Sequence, residues 1–132
     1  MYDNKCCSDF QSAVDEYLIR HRSVLDIMTK YQEGAARVNR AIAKAVTECG
    51  CIQVSAARQT VPEDASYSDL KDHMSSHIVG EPCPHCQEVI SKEVGHSMFY
   101  LAALCNLTGL SLHKVMQREY QDVKTLGVFH LS

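Results

Sequence analysis

Residues 82–109 read PCPHCQEVISKEVGHSMFYLAALCNLTG, and this stretch decides the fold. Two prolines, Pro82 and Pro84, cannot lie inside a helix, so any element arriving from upstream stops there. From Pro84 to Leu107 the chain then reads as one long helix. Val89, Ile90, Val94, Met98, Leu101 and Cys105 recur at helical spacing and are expected to face inward. Asn106-Leu107-Thr108-Gly109 closes it, with glycine suited to the left-handed residue that ends a helix.

Working outward, Ser111 is placed to cap a last helix that carries Leu112, Val115, Met116, Val123 and Leu126 and stops at Gly127. Upstream, Ser66 or Ser68 starts a short helix with Leu70, Met74 and Ile78, after a break at Val61-Pro62-Glu63-Asp64-Ala65-Ser66. Ile52, Val54 and Ala56 alternate with polar neighbours, as a short extended piece would. Ser23 caps a longer helix whose apolar positions are Val24, Met28, Tyr31, Ala35, Val38, Ile42 and Ala45, ending near Cys49-Gly50. The first helix is expected from Ser8 to about His21, with Phe10, Val14, Tyr17 and Leu18 on one side. No repeat, low-complexity tract or long linker divides the chain. The expectation is an all-α bundle of four or five helices in a single domain, 1–132.

Composition narrows the function classes. The 132 residues are 45% hydrophobic and 22% charged with a net charge of −3, which is ordinary globular composition. That balance offers no electrostatic case for nucleic acid or an anionic membrane. No apolar run approaches a membrane span, and Met1 to Cys7 lack the apolar stretch of a secretion signal, so a cytoplasmic location is expected. In a reducing compartment, seven cysteines favour metal binding or catalysis over a disulfide framework.

Four of those cysteines form two doublets, Cys49-Gly50-Cys51 and Cys83-Pro84-His85-Cys86, separated by the 31 residues from 52 to 82. Four thiolates in two short-spaced pairs can close a tetrahedral zinc site. Gly50 permits a tight turn in the first pair, and the prolines stiffen the second into a knuckle. Three other readings compete. Cys49 and Cys51 could be small buried residues at a helix end. Cys83 and Cys86 could be a redox dithiol, since the same four residues occur in the active site of DsbA-type oxidases. His73, His77 or His85 could replace a cysteine ligand. The four-cysteine reading is preferred because it alone uses both doublets. Cys105 is expected in the core, and Cys6 and Cys7 on a mobile terminus.

A further stretch carries a family resemblance. Lys92-Glu93-Val94-Gly95-His96-Ser97-Met98-Phe99-Tyr100-Leu101-Ala102-Ala103-Leu104-Cys105-Asn106-Leu107-Thr108-Gly109-Leu110-Ser111-Leu112 resembles the metal-binding third helix and following turn of the MazG-like nucleotide pyrophosphohydrolases. Glu33-Gly34-Ala35-Ala36-Arg37-Val38-Asn39-Arg40-Ala41-Ile42 can be laid more loosely on their second-helix motif. The likeness spans about half the chain. It implies an all-α fold and an oligomeric assembly, here a homodimer; the cysteine-bearing stretch at about 49–86 is an insertion longer than the family pattern. It also implies carboxylates on two helices holding magnesium for cleavage of a nucleoside triphosphate.

On that correspondence Glu33 and Glu93 take carboxylate positions, while Arg37 and His96 stand where further carboxylates would be. Nitrogen donors suit a hard cation poorly, whereas a guanidinium grips phosphate well. Glu33, Glu93 and His96 are therefore the candidate catalytic residues and Arg37 the candidate phosphate binder. The expected ligands are a structural zinc and a nucleotide or other phosphate compound, with magnesium as a second metal if hydrolysis survives. The residues leave hydrolysis open. Two other classes stand beside this reading: a non-catalytic, zinc-stabilised interaction module, and a dithiol oxidoreductase. Glu119 falls inside the apolar stripe of the last helix, where a carboxylate needs a partner, a metal or a route to solvent.

Overall fold

In a computed structural model that describes residues 4–131, four α-helices carry most of the chain. Residues 1–3 and 132 lie outside the described span. The helices are α1 (Asn4–Tyr17), α2 (Val24–Lys44), α3 (Pro84–Thr108) and α4 (Leu112–Leu126), and a two-stranded sheet joins β1 (Ile52–Val54) to β2 (Ile78–Gly80). Short 3₁₀ turns occupy Tyr67–His73 and Gly127–Phe129. The predominantly helical architecture agrees with the expectation; the sheet is an addition to it. No helix among the described residues is long and apolar enough to cross a membrane.

Several boundaries fall where local chemistry places them. The Ser23 side chain accepts from the Leu25 N–H at the start of α2. Ser111 does the same for Lys114 in α4, and Gly109 closes α3 with φ 73°. The first helix departs from expectation. It begins at Asn4, so Ser8 is internal and Cys6 and Cys7 sit on a helix. It ends at Tyr17, where the Arg22 guanidinium donates to the Leu18 and Asp15 carbonyls, satisfying acceptors that the next turn would have used.

The antiparallel pair α2 and α3 forms the axis of the molecule. The apolar stripes expected to face inward on these helices do so only in part: Ala45 and Cys105 are buried and Val38 and Ile90 half-buried, but most of the large members are exposed. On α2 the buried residues are Ile27, Gly34, Ala41 and, just beyond it, Ala45; Val24, Met28, Tyr31 and Ile42 are exposed. On α3 they are Cys86, Ala102, Ala103 and Cys105, with Val89, Val94, Met98 and Leu101 exposed. The reason is steric. Small residues let the two backbones approach closely, and a methyl built on Gly34 would lie 3.3 Å from the Ser97 Cα. Larger apolar side chains are left on the flanks of the contact.

Two small cores result. One gathers Val14, Ile27, Ala102, Ala103, Cys105 and Leu112, where α1 and the start of α4 close over α3. Gln11 fastens this end: its amide donates to the Leu110 carbonyl at 2.7 Å and accepts from the Leu112 N–H at 2.8 Å. The other holds Ala45, Ile52 and Cys86, with Val46, Cys51 and Cys83 packed against it. Beyond Leu112, α4 leaves Val115, Met116, Val123 and Leu126 exposed. Glu119 resolves by reaching outward, where its carboxylate meets the His130 ring at 2.6 Å.

Candidate metal centre and the adjoining groove

The first cysteine doublet is delivered by the end of α2. There the helix widens into a π-helical turn, Ala45–Cys49, and Gly50 takes the left-handed conformation at φ 77° and bonds back to the Ala45 carbonyl. Cys51 follows at once, and β1 leaves from it. The second doublet is delivered by β2 and the start of α3. Pairing of Ile52 with Gly80, Gln53 with Val79 and Val54 with Ile78 sets Cys51 beside the residues just ahead of Cys83. Gly80 is required in this crossing: its φ is 90°, and a methyl there would lie 2.8 Å from the Cys51 carbonyl oxygen. Ile78, read from sequence as the tail of a short helix, therefore belongs to a strand, and the helix itself is the 3₁₀ turn ending at His73.

The Sγ atoms of Cys49, Cys51, Cys83 and Cys86 lie within 4.8 Å of one another. Cys49 and Cys83 are 3.7 Å apart, far beyond a disulfide bond of about 2.05 Å. The distance instead fits a tetrahedral ion: zinc–sulfur bonds of about 2.3 Å separate the sulfurs by roughly 3.8 Å. Among the described residues these four are the one group of three or more His, Cys, Asp or Glu side chains placed to hold a metal. His73, His77 and His85 are not members. The cluster is graded in exposure, from exposed Cys49 to buried Cys86.

The metal-free thiols are unequal. Cys83 is the N-cap of α3 and its sulfur accepts the Cys86 N–H at 3.5 Å, which lowers its pKa to about 7. Burial pushes Cys86 up to about 12. The neighbouring Cys83 sulfur raises Cys49. One thiol in the cluster is thus already inclined to ionise near neutral pH, while the most buried one keeps its proton until a cation arrives.

From this centre a groove runs along one flank of the α2–α3 pair. A cavity of about 270 Å³ beside the cluster is lined by Lys44, Glu48, Cys49 and His85 among others. A second, of about 390 Å³, shares Lys44, Ala41 and Val89 with the first and adds Arg37, Arg40 and Glu93. A third, of about 500 Å³, shares Arg37 and continues past Lys30, Glu33, Gly34, His96, Phe99 and Tyr100. All four residues singled out from the sequence meet here.

Arg37 is the hub of the groove. Its Nε donates to Glu33 at 3.3 Å and its Nη1 lies 3.6 Å from Glu93. Glu93 also faces His96 Nδ1 at 3.6 Å, and Glu33 faces Lys30 at 3.6 Å. Its hydrogen bond from Arg37 lowers the pKa of Glu33, and the guanidinium is held more firmly in its charged form. Both carboxylates are thus engaged by cations. Two such groups flanked by a guanidinium and an imidazole make a poor donor set for magnesium, which needs an octahedron of oxygens.

Lys30, Arg40, Lys44, Phe99 and Tyr100 belong to this groove and were not foreseen. A signal existed for the cations, because residues 30, 37, 40 and 44 fall on one face of a helix. For the aromatic pair it did not, since Phe99 and Tyr100 read as ordinary helix residues. Neither a protein-family profile, nor a curated protein, nor a solved structure matches the chain.

Proposed function

We propose that this chain is a zinc-stabilised helical protein of the MazG-like type that binds a nucleotide or another phosphate-bearing ligand in the α2–α3 groove. The observation that carries the binding reading is Arg37, at the meeting of two cavities, with cationic side chains on both sides of it and aromatic rings at one end. Phosphate oxygens accept two N–H groups of one guanidinium in a planar pair. Lys30 lies toward the aromatic end and Arg40 and Lys44 toward the metal centre, so charge is available along an extended polyphosphate. Phe99 and Tyr100, packed edge to face at 5.2 Å, offer apolar surface for a base. An incoming phosphate competes with Glu33 and Glu93 for Arg37, which favours ligands with several negative charges over those with one.

Zinc supplies rigidity in this reading and takes no part in chemistry: four thiolates complete its shell and leave no position for water or substrate. The ion ties the end of α2, the start of β1 and the first turn of α3 into one unit. No hydrolytic step follows from the groove, because its carboxylates are held by Arg37, His96 and Lys30. Melting curves and calorimetry with mono-, di- and triphosphates, and with inorganic pyrophosphate, test the reading. Binding weakened at least tenfold in Arg37→Ala is expected. A flat response to every compound refutes it. Pyrophosphate release with magnesium or manganese that falls in Glu93→Gln would instead establish the hydrolase.

A second reading has one observation in its favour. Cys83 caps α3 as the first residue of a C-x-x-C pair, and the Cys86 N–H that its sulfur accepts holds its thiol below the usual range, as suits the attacking thiol of a dithiol oxidoreductase. Disulfide exchange that survives in Cys51→Ser and is lost in Cys83→Ser would support it over the metal.

A further inference from the structure

The metal centre is open on one side, and the opening falls on a single sulfur. Cys49 is exposed, Cys51 and Cys83 are half-buried, and Cys86 is only 8% exposed. Cys49 also borders the cavity of about 270 Å³ that it shares with Lys44, Glu48 and His85. Cys86 borders it too, but is buried with Ala45 and Ile52 in the second core. A small reagent arriving from solvent therefore meets the Cys49 sulfur first. A closed structural shell needs no such access.

Across the cluster, the Cys83 sulfur lies 3.7 Å from that of Cys49 and belongs to the other doublet, 34 positions along the chain. A disulfide of about 2.05 Å asks these two atoms to approach by roughly 1.6 Å. Cys49 has room for that movement. It ends the π-helical turn Ala45–Cys49, and the following Gly50 has nothing within 4 Å of where a side chain would stand. Cys83 is held more firmly, since it caps α3 and its sulfur accepts the Cys86 N–H. The other two sulfurs are less available: Cys86 is inside the core, and the Cys51 sulfur is engaged by the Ala45 carbonyl at 3.8 Å.

We propose that Cys49 and Cys83 form a redox site at which a small hydroperoxide is reduced and the cluster gives up its zinc. The inference rests on zinc being held by the four thiolates, and adds a reaction to that structural role. The Cys49 thiolate attacks one oxygen of hydrogen peroxide and the O–O bond breaks, leaving a sulfenic acid and hydroxide. The Cys83 thiolate then attacks the Cys49 sulfur. The S–S bond forms, the S–O bond breaks, and a second hydroxide departs. Two electrons have passed from the two sulfurs to the peroxide, whose product is two hydroxides. Lys44 and His85 line the cavity into which they leave. Only Cys51 and Cys86 then remain as ligands, too few for a tetrahedral shell, so the ion is released. The new bond ties the same two segments that zinc tied. The helices and the sheet therefore persist, and a thiol reductant with zinc restores the centre. This pairing differs from that of a dithiol oxidoreductase, which would join Cys83 to Cys86.

Hydrogen peroxide added in steps to the purified full chain tests this. Zinc is counted beforehand by elemental mass spectrometry, and its release is followed with a chromogenic chelator. The expected result is one Cys49–Cys83 disulfide in nonreducing peptide maps for each zinc released, with the helical circular dichroism retained. Dithiothreitol and zinc should then reverse both changes. Cys49→His, which keeps a four-ligand shell, should slow release at least about tenfold, because the most accessible thiolate is gone. If that variant loses its metal, the peptide map of the unaltered chain decides alone. A chain without zinc at the start overturns the metal reading and this inference with it. Three results overturn this inference and leave the metal reading standing. One is zinc retained at peroxide levels that oxidise the exposed Cys6. Another is release with a Cys83–Cys86 or Cys49–Cys51 disulfide instead, and the third is release from a zinc-loaded Cys49→His chain at an unchanged rate.

Discussion

The contact between α2 and α3 can be tested with two glycines that differ only in what surrounds them. Gly34 and Gly95 both lie inside α-helices, where exchange for alanine gains about 1 kcal/mol from helix propensity. At Gly95 nothing lies within 4 Å of the added methyl, so the gain should appear in full. At Gly34 the methyl would sit 3.3 Å from the Ser97 Cα and 3.6 Å from its Cβ. The near atom belongs to the α3 backbone and cannot rotate away, so two helices must part by a few tenths of an ångström. Overpacking of this kind costs about 1–3 kcal/mol. Subtracting the propensity gain leaves Gly34→Ala between neutral and about 2 kcal/mol destabilising, and Gly95→Ala about 1 kcal/mol stabilising. For a chain of this length 1 kcal/mol moves the melting temperature by about 3–5 °C, so the two variants should separate clearly by calorimetry. Equal stabilisation by both would refute the close approach, and with it the explanation of why the large apolar residues lie on the flanks.

Three further outcomes are expected. Chelation of the metal should lower the melting temperature by about 10 °C or more, since a ligand at a thousandfold excess over its Kd adds about 4 kcal/mol; identical melting curves and no stoichiometric zinc by elemental mass spectrometry would remove the metal centre. The metal-free chain should gain stability as pH rises from about 7 to 9 and lose it above. Cys83, lowered to about 7, contributes above its unfolded pKa and loses that contribution as pH falls through 7. Cys86, raised to about 12, contributes below its unfolded pKa and loses that as pH climbs toward 12; thermal melts across pH 6 to 11 would detect a monotonic trend, which contradicts this. Finally, Phe129 stacks on Tyr67 at 5.6 Å between ring centroids, so Phe129→Ala should cost about 1 kcal/mol and speed cleavage near the C-terminus, as limited proteolysis would reveal; an unchanged digestion pattern would mean the stack does not anchor that end.

The helical architecture was legible because its signals are local. Ser23, Ser111, Gly50 and Gly109 mark ends by chemistry that acts within one turn, and all four function as read. The four-cysteine cluster was legible too, since both doublets are short. What periodicity could not reveal was which face each central helix buries. Periodicity reports that an apolar stripe exists; it does not say whether the partner is the same chain. Gly34, Ala41, Ala102 and Ala103 have little hydrophobicity and so carry little weight in such a pattern, yet they make the contacts. The strand Ile78–Gly80 escaped for another reason: three residues give no alternation to recognise, and its partner is 26 positions away. The groove was half legible. Glu33, Arg37, Glu93 and His96 were named through a resemblance, while Lys30, Arg40 and Lys44 needed only the face of α2 to be drawn.

Segment 55–77 hangs from the sheet without entering either core. Ser55 bonds to the His77 carbonyl at its neck, and Gln59 closes on Ser75 through two hydrogen bonds. Apart from the stack of Tyr67 on Phe129, what fixes the flanking halves lies outside it: the packing of α1 and α2 on α3 and α4, the strand pairing and the thiolate cluster. A peptide bond cut at its tip therefore removes no part of either core. Two fragments divided near Pro62 should remain associated while zinc is bound and come apart when it is withdrawn. The ion would then act as a releasable fastener between two pieces of one chain, and the segment as the natural place to graft a reporter, extend the chain or split it for complementation.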